Sequence, residues 1–142
     1  MDYLFGKGVS RALPKEGLRL VRSRKSGRVK LVFQGERLIA TVKPNGAFAL
    51  TLYGASVLAK SPNFGENIVV VKDEAAEFVR GGKSVFCKFV KTAGNNVLPK
   101  GEAVIADGRG RILGVGTAVI NGAYMASFKS GVAVKVRDGA NR

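Results

Sequence analysis

Residues 73–90 read DEAAEFVRGGKSVFCKFV, and the way this stretch folds decides the architecture. Asp73 is of the type that accepts hydrogen bonds from the first free amides of a helix, and Asp73, Glu74 and Glu77 set negative charge against its positive end. Ala75, Phe78 and Val79 then recur at helical spacing and form the expected core side. Gly81 and Gly82 stop the helix where a left-handed backbone is needed. Lys83 follows at the start of a strand, beside amides expected to point outward. In that strand Val85, Cys87 and Phe89 are expected to face inward and to alternate with Ser84, Phe86 and Lys88. The result is a place to hold a phosphate; an ordinary helix-turn-strand with a solvated lysine is the plainer reading.

The flanks on both sides read as strands. Ile68-Val69-Val70-Val71 is a continuous apolar run suited to a strand covered on both faces. Downstream, EAVIAD (102–107), the turn Gly108-Arg109-Gly110 and RILGVGTAVI (111–120) make a hairpin. Gly114 and Gly116 do not make a dinucleotide fingerprint: the third glycine is missing and the segment continues as a β-branched strand. They fit a bulge or a close backbone crossing instead. A short helical piece at 123–127 precedes GVAVKVR (131–137), where Val132, Val134 and Val136 oppose Ala133, Lys135 and Arg137. Residue 138 onward reads as a tail. Five or six strands with one helix after the first predict a small closed barrel of mixed pairing.

Upstream, residues 1–17 read as a lead-in, followed by LRLV (18–21), RVKLVF (28–33), RLIATV (37–42) and AFALTL (47–52). These are strand-length segments of an antiparallel meander, with a hairpin turn at Pro44-Asn45-Gly46. Residues 53–60 make about two helical turns, which Pro62 and Gly65 end. The expected fold is therefore mixed α/β and mainly β, with a small α+β domain over 1–66 and a barrel over 67–142. In the first hairpin Val29, Leu31 and Phe33 share one face while Arg28 and Lys30 share the other, joined there by Arg19. Arg22, Arg24 and Lys25 connect the strands, so 19–30 contains six basic residues and no acidic one. A solvated edge protected by charge and a phosphate-binding surface weigh about equally for this segment.

Twenty-four Lys+Arg against 10 Asp+Glu leave a net charge of +14, so a polyanion is the expected partner. A membrane surface is a poorer fit, because neither an amphipathic basic helix nor a lipidation signal is present. With no histidine, one cysteine and no clustered carboxylates, the chain offers no zinc set, no Ser-His-Asp or Cys-His pair and no acid-base carboxylate pair. No catalytic residue, metal or cofactor is expected. Cys87, within VFCKF, reads as a small buried apolar residue. No stretch is apolar for long enough to span a bilayer, and the N-terminus lacks the features of a signal peptide, so a cytoplasmic location is expected.

At this point the second half resembles the PUA domain, the small RNA-binding pseudobarrel of pseudouridine synthases and archaeosine transglycosylases. IVVVKDEAAEFVRGGKSVFCKFV, LPKGEAVIAD, GRILGVGTAVI and GVAVKVRDG carry the resemblance, in that order, over about residues 67–139. The first half sharpens it: RLIATVKPNGAFALTLYGASVLAKS is similar to the α+β domain that precedes the PUA domain in archaeal tRNA-guanine transglycosylase. The catalytic barrel of that enzyme, with its aspartates and zinc ligands, has no counterpart here. The resemblance therefore implies binding of tRNA, at the acceptor stem and CCA end, and a separate catalytic transglycosylase chain as a partner. By analogy, the RNA surface comprises Gly81, Gly82, Lys83, Lys88, Lys135 and Arg137, with Phe86 either joining them or lying in the core. Arg19, Arg22, Arg28 and Lys30 extend it on charge alone. A translation or ribosome-assembly factor binding rRNA is the alternative implied by the same domain type.

Overall fold

A computed structural model describes residues 5, 17–44 and 47–141. The expected lead-in therefore lies outside the described residues except for Phe5 and Gly17, as do Asn45 and Gly46 of the proposed hairpin turn. Two sheets make up the fold. In the first, β1 (Leu18–Arg22), β2 (Val29–Gln34), β3 (Arg37–Val42) and β4 (Phe48–Leu50) pair antiparallel in chain order, the expected meander. Its inner face is built from Val32, Ile39, Ala40 and Leu50. Arg19 does not join Lys30. It stands directly opposite Phe33, and its guanidinium lies 4.5 Å from the ring centroid, so Arg19 shares the Phe33 face.

The fourth strand is shorter than expected because Thr51 opens a helix. Its Oγ1 accepts a hydrogen bond from the Gly54 amide at 2.9 Å and donates to the Leu38 carbonyl at 2.5 Å, capping α1 (Leu52–Leu58) and anchoring it to β3. A 3₁₀ turn (Pro62–Asn67) then leads into the second sheet.

That sheet holds β5 (Ile68–Val71), β6 (Val85–Phe86), β7 (Val90–Ala93), β8 (Glu102–Ala106), β9 (Ile112–Ala118) and β10 (Val132–Gly139), with α2 (Ala76–Arg80) and α3 (Gly122–Met125) between them. Its order is β6-β10-β9-β8-β5-β7, with β5 and β8 parallel and the other pairs antiparallel. The two edge strands, β6 and β7, are consecutive in the chain and joined by one 3₁₀ turn (Cys87–Phe89), so the sheet almost closes on itself. Within the sheet the paired strands β9 and β10 approach closely at Gly116, where a Cβ would lie 2.1 Å from the Lys135 carbonyl oxygen.

Four local expectations are corrected. Residues 84–90 are not one strand, because the seam of the barrel must turn there. Asp73 is not the helix cap: it starts a 3₁₀ turn (Asp73–Ala75) that feeds the five-residue α2. Phe78 is not core but 54% exposed, since so short a helix seats Ala75, Ala76 and Val79 and leaves the position before Val79 outside. Residue 138 onward is not a tail, for Asp138 and Gly139 pair with Val115 and Gly114.

Two apolar clusters hold the molecule. One fills the barrel, with Val69, Val71, Val79, Val85, Leu113, Met125 and Val134 at 1% exposure or less. The other joins Phe5, Ile39, Leu50, Leu58 and Phe64 to Val104 and Val115, so strands of the barrel complete the core of the meander. Each large side chain buried there contributes about 1.5–3 kcal/mol relative to exposure. Among the described residues no helix is long and apolar enough to cross a membrane.

Candidate nucleic-acid interface

The end of α2 sets the local chemistry. Gly82 has φ +90°, its amide donates to the Val79 carbonyl at 2.9 Å, and the Lys83 amide donates to the Phe78 carbonyl at 2.9 Å. This pair of bonds is a Schellman closure, with Gly82 as the left-handed residue. The Gly81 amide is also used, on the Glu77 carbonyl at 3.1 Å. The amides of Gly81, Gly82 and Lys83 therefore point back into the helix. They form no outward-facing phosphate cradle, which corrects the expectation from the sequence. What the turn delivers is the Lys83 side chain, exposed at the helix end.

That side chain borders a cleft of about 380 Å³ between α2 and the barrel seam, lined by Phe78, Phe86, Phe89, Val79 and Val85 together with Lys83, Ser84 and Lys88. Phe86 is 46% exposed, which places it on the accessible face rather than in the core. Lys83 Nζ lies 5.9 Å from the Phe78 ring centroid and Lys88 Nζ lies 5.0 Å from that of Phe89. An aromatic cleft edged by two cations suits a stacked base with its phosphate outside. The 3₁₀ turn creates it: by breaking the strand after Phe86 it swings Lys88 and Phe89 to the same opening. Phe78 and Phe89 also line the cleft, although their spacing from buried neighbours reads as core in the sequence; Phe89 packs against the core as well.

The other sequence-selected residues fall into two places. Arg28 and Lys30 line a second cleft of about 690 Å³ on the meander, with Ser23, Ser26, Thr41 and Lys43. Arg28 Nη1 donates to the Pro44 carbonyl at 3.3 Å, and Arg22 Nη1 to the Gly27 carbonyl at 3.1 Å. Arg19 is turned to the opposite face by its stack on Phe33. On β10, Lys135 is exposed, whereas Arg137 forms an ion pair with Glu102 at 2.7 Å and donates to the Leu50 carbonyl at 2.7 Å. Arg137 thus ties the barrel to the meander. Burial pushes the Cys87 thiol above its ordinary value, against reactivity.

An almost closed six-stranded sheet of mixed pairing, with a helix after its first strand and a cation-edged cleft at its seam, defines a PUA-type pseudobarrel. The chain belongs to the PUA-domain family, whose model matches residues 67–140. Residues 1–64 match the patch-forming domain C2 of tRNA-guanine transglycosylase. The chain is 37% identical over 145 residues to the tRNA-guanine(15) transglycosylase of Thermoplasma volcanium, a match that covers 99% of this chain and 22% of that protein. The chain thus spans about a fifth of the length of the curated relatives it matches. Among solved structures, a hypothetical protein from Pyrococcus horikoshii superposes with a TM-score of 0.76 at 18% identity, covering 99% of this chain and 86% of the other. A conserved PUA domain protein from Thermoplasma acidophilum does so with a TM-score of 0.62 at 17% identity, covering 94% and 85%. The family membership supports RNA as the partner, and the structural likenesses show the fold.

Proposed function

We propose that this chain binds tRNA at its acceptor end, without carrying out chemistry itself, and does so for a tRNA-guanine transglycosylase catalytic module carried outside these 142 residues. The observation that carries the reading is the cleft walled by Phe78, Phe86 and Phe89, with Lys83 and Lys88 each set over a ring at its edge. Such a cleft takes an unpaired nucleotide by stacking and leaves its phosphate to the lysines. Relatives named as transglycosylases of guanine in tRNA indicate which RNA. The basic meander, with Arg28, Lys30 and Lys43 around a second cleft, adds contacts along the paired stem.

Titration of labelled tRNA across a salt series tests the reading. Neutralising about five phosphates gives a log-log slope of roughly −3 to −5. A salt-insensitive affinity, or equal affinity for tRNA and for a ribosomal RNA fragment, would overturn it. Co-purification with a transglycosylase catalytic domain tests the second half of the proposal.

A further inference from the structure

The β8–β9 turn carries a cluster that the aromatic cleft does not account for. Its sequence is Asp107-Gly108-Arg109-Gly110-Arg111. Asp107 is 3% exposed, and its carboxylate organises the turn. Oδ1 accepts from the amides of Arg109 and Arg111, each at 2.9 Å, and Oδ2 accepts from Arg111 Nε at 2.7 Å. The Gly110 amide closes the loop on the Asp107 carbonyl at 3.1 Å. Arg109 is exposed, and the Arg111 side chain remains 61% exposed despite its bond to Asp107.

A third cation comes from β7, which is separated from β8 by β5 in the sheet. Lys91 on β7 is exposed, and a Cβ placed on Gly108 would lie 3.4 Å from Lys91 Nζ. The turn thus carries two arginines and has Lys91 Nζ against it, while its single carboxylate is already spent on the turn itself. Lys91 is also close to the aromatic cleft: it follows Phe89, a wall of that cleft, by two residues and Lys88 by three. An extended chain of three residues spans at most about 10 Å.

We propose that Lys91, Arg109 and Arg111 form a second phosphate-binding site, which grips the sugar-phosphate backbone of the paired stem next to the unpaired nucleotide held in the cleft. The proposal rests on the reading of the cleft given above. Forked guanidinium groups on a turn fixed by its own carboxylate suit phosphate oxygens, because little side-chain and loop freedom is lost on binding. Together the cleft at the seam and the β8–β9 turn read the junction between single strand and duplex.

Two RNA hairpins test this, one blunt and one carrying a short 3′ overhang, each titrated across a salt series with wild type, K91E, R109E and the double variant. Arg111 is left intact because it is bonded to Asp107, and urea midpoints check that each variant is folded; R109Q replaces R109E if the charge reversal shifts the midpoint. The double variant is expected to bind the blunt hairpin more weakly, with a log-log slope shallower by about 2. Affinity and slope identical to wild type on the blunt hairpin would overturn the site. If instead wild type fails to prefer the overhang while the variants still weaken the blunt complex, the cleft reading falls and this site stands. A wild type that binds neither hairpin overturns both.

Discussion

Arg137 and Glu102 form an ion pair of 2.7 Å that reaches across the molecule, because both side chains also hold the backbone of Leu50. The Leu50 amide donates to Glu102 and its carbonyl accepts from Arg137. The Glu102 side chain is 6% exposed and that of Arg137 38%, so the pair sits at the edge of the shared core, where Val104 and Val115 of the barrel meet Leu50 and Ile39 of the meander.

Removing either partner leaves the other without its counter-ion and strips one bond from Leu50. Glu102→Ala and Arg137→Ala should each lower stability by about 1–3 kcal/mol, and the double variant should cost less than the sum of the two. Urea unfolding checks both values. Because Arg137 is committed to this tie, Arg137→Ala should leave the salt slope of tRNA binding unchanged while the protein is folded.

The two adjacent glycines at the end of α2 should behave differently. Gly81 has an ordinary φ of −78°, and a Cβ there would make only ordinary contacts, 3.5 Å from the Glu77 and Phe78 carbonyl oxygens, whereas Gly82 sits at +90°. Gly82→Ala should destabilise by about 1–2 kcal/mol and Gly81→Ala by no more than a few tenths, read as shifts in the urea midpoint.

This contrast shows how far the sequence was legible. Residues 81–82 are readable as a helix stop, because paired glycine after a short amphipathic run has few other uses. Where the freed amides point is not readable, since that depends on the Phe78 and Val79 carbonyls accepting them. The meander and the barrel strands β5, β8, β9 and β10 follow from alternation and turn residues. The 3₁₀ break at Cys87–Phe89 does not, because Val85, Cys87 and Phe89 keep a period of two across it and only closure of the sheet forces the turn. The same closure exposes Phe86 and opens the cleft. Arg137 reads as one more surface cation on a strand, and its partner lies 35 residues away.

Asp107 makes stability depend on acid. The Arg111 amide, followed by the Arg111 guanidinium and the Arg109 amide, holds its carboxyl at about 2, below the ordinary value near 4. A carboxyl lowered in the folded state contributes stability that is fully present above the unfolded value and is lost as pH falls from about 4 to about 2. Urea midpoints between pH 5 and pH 2 should therefore fall more steeply in wild type than in Asp107→Asn, and parallel curves would remove this role.

Phe78 is exposed on a short helix, so Phe78→Ala should change stability by no more than about 0.5 kcal/mol. Loss of a stacked base should nevertheless weaken tRNA binding by about 1–3 kcal/mol, roughly 5-fold to 150-fold. Equal affinities for variant and wild type would place the base elsewhere.

The most direct measurement of the central claim is the affinity of wild type for one tRNA with its unpaired 3′ end intact and with that end removed, at a single salt concentration. Recognition in the cleft of Phe78, Phe86 and Phe89 predicts that trimming weakens binding by at least about 5-fold, the lower bound for one stacked base. It also predicts that Phe78→Ala abolishes the difference. Equal affinity for the intact and trimmed tRNA would contradict the account.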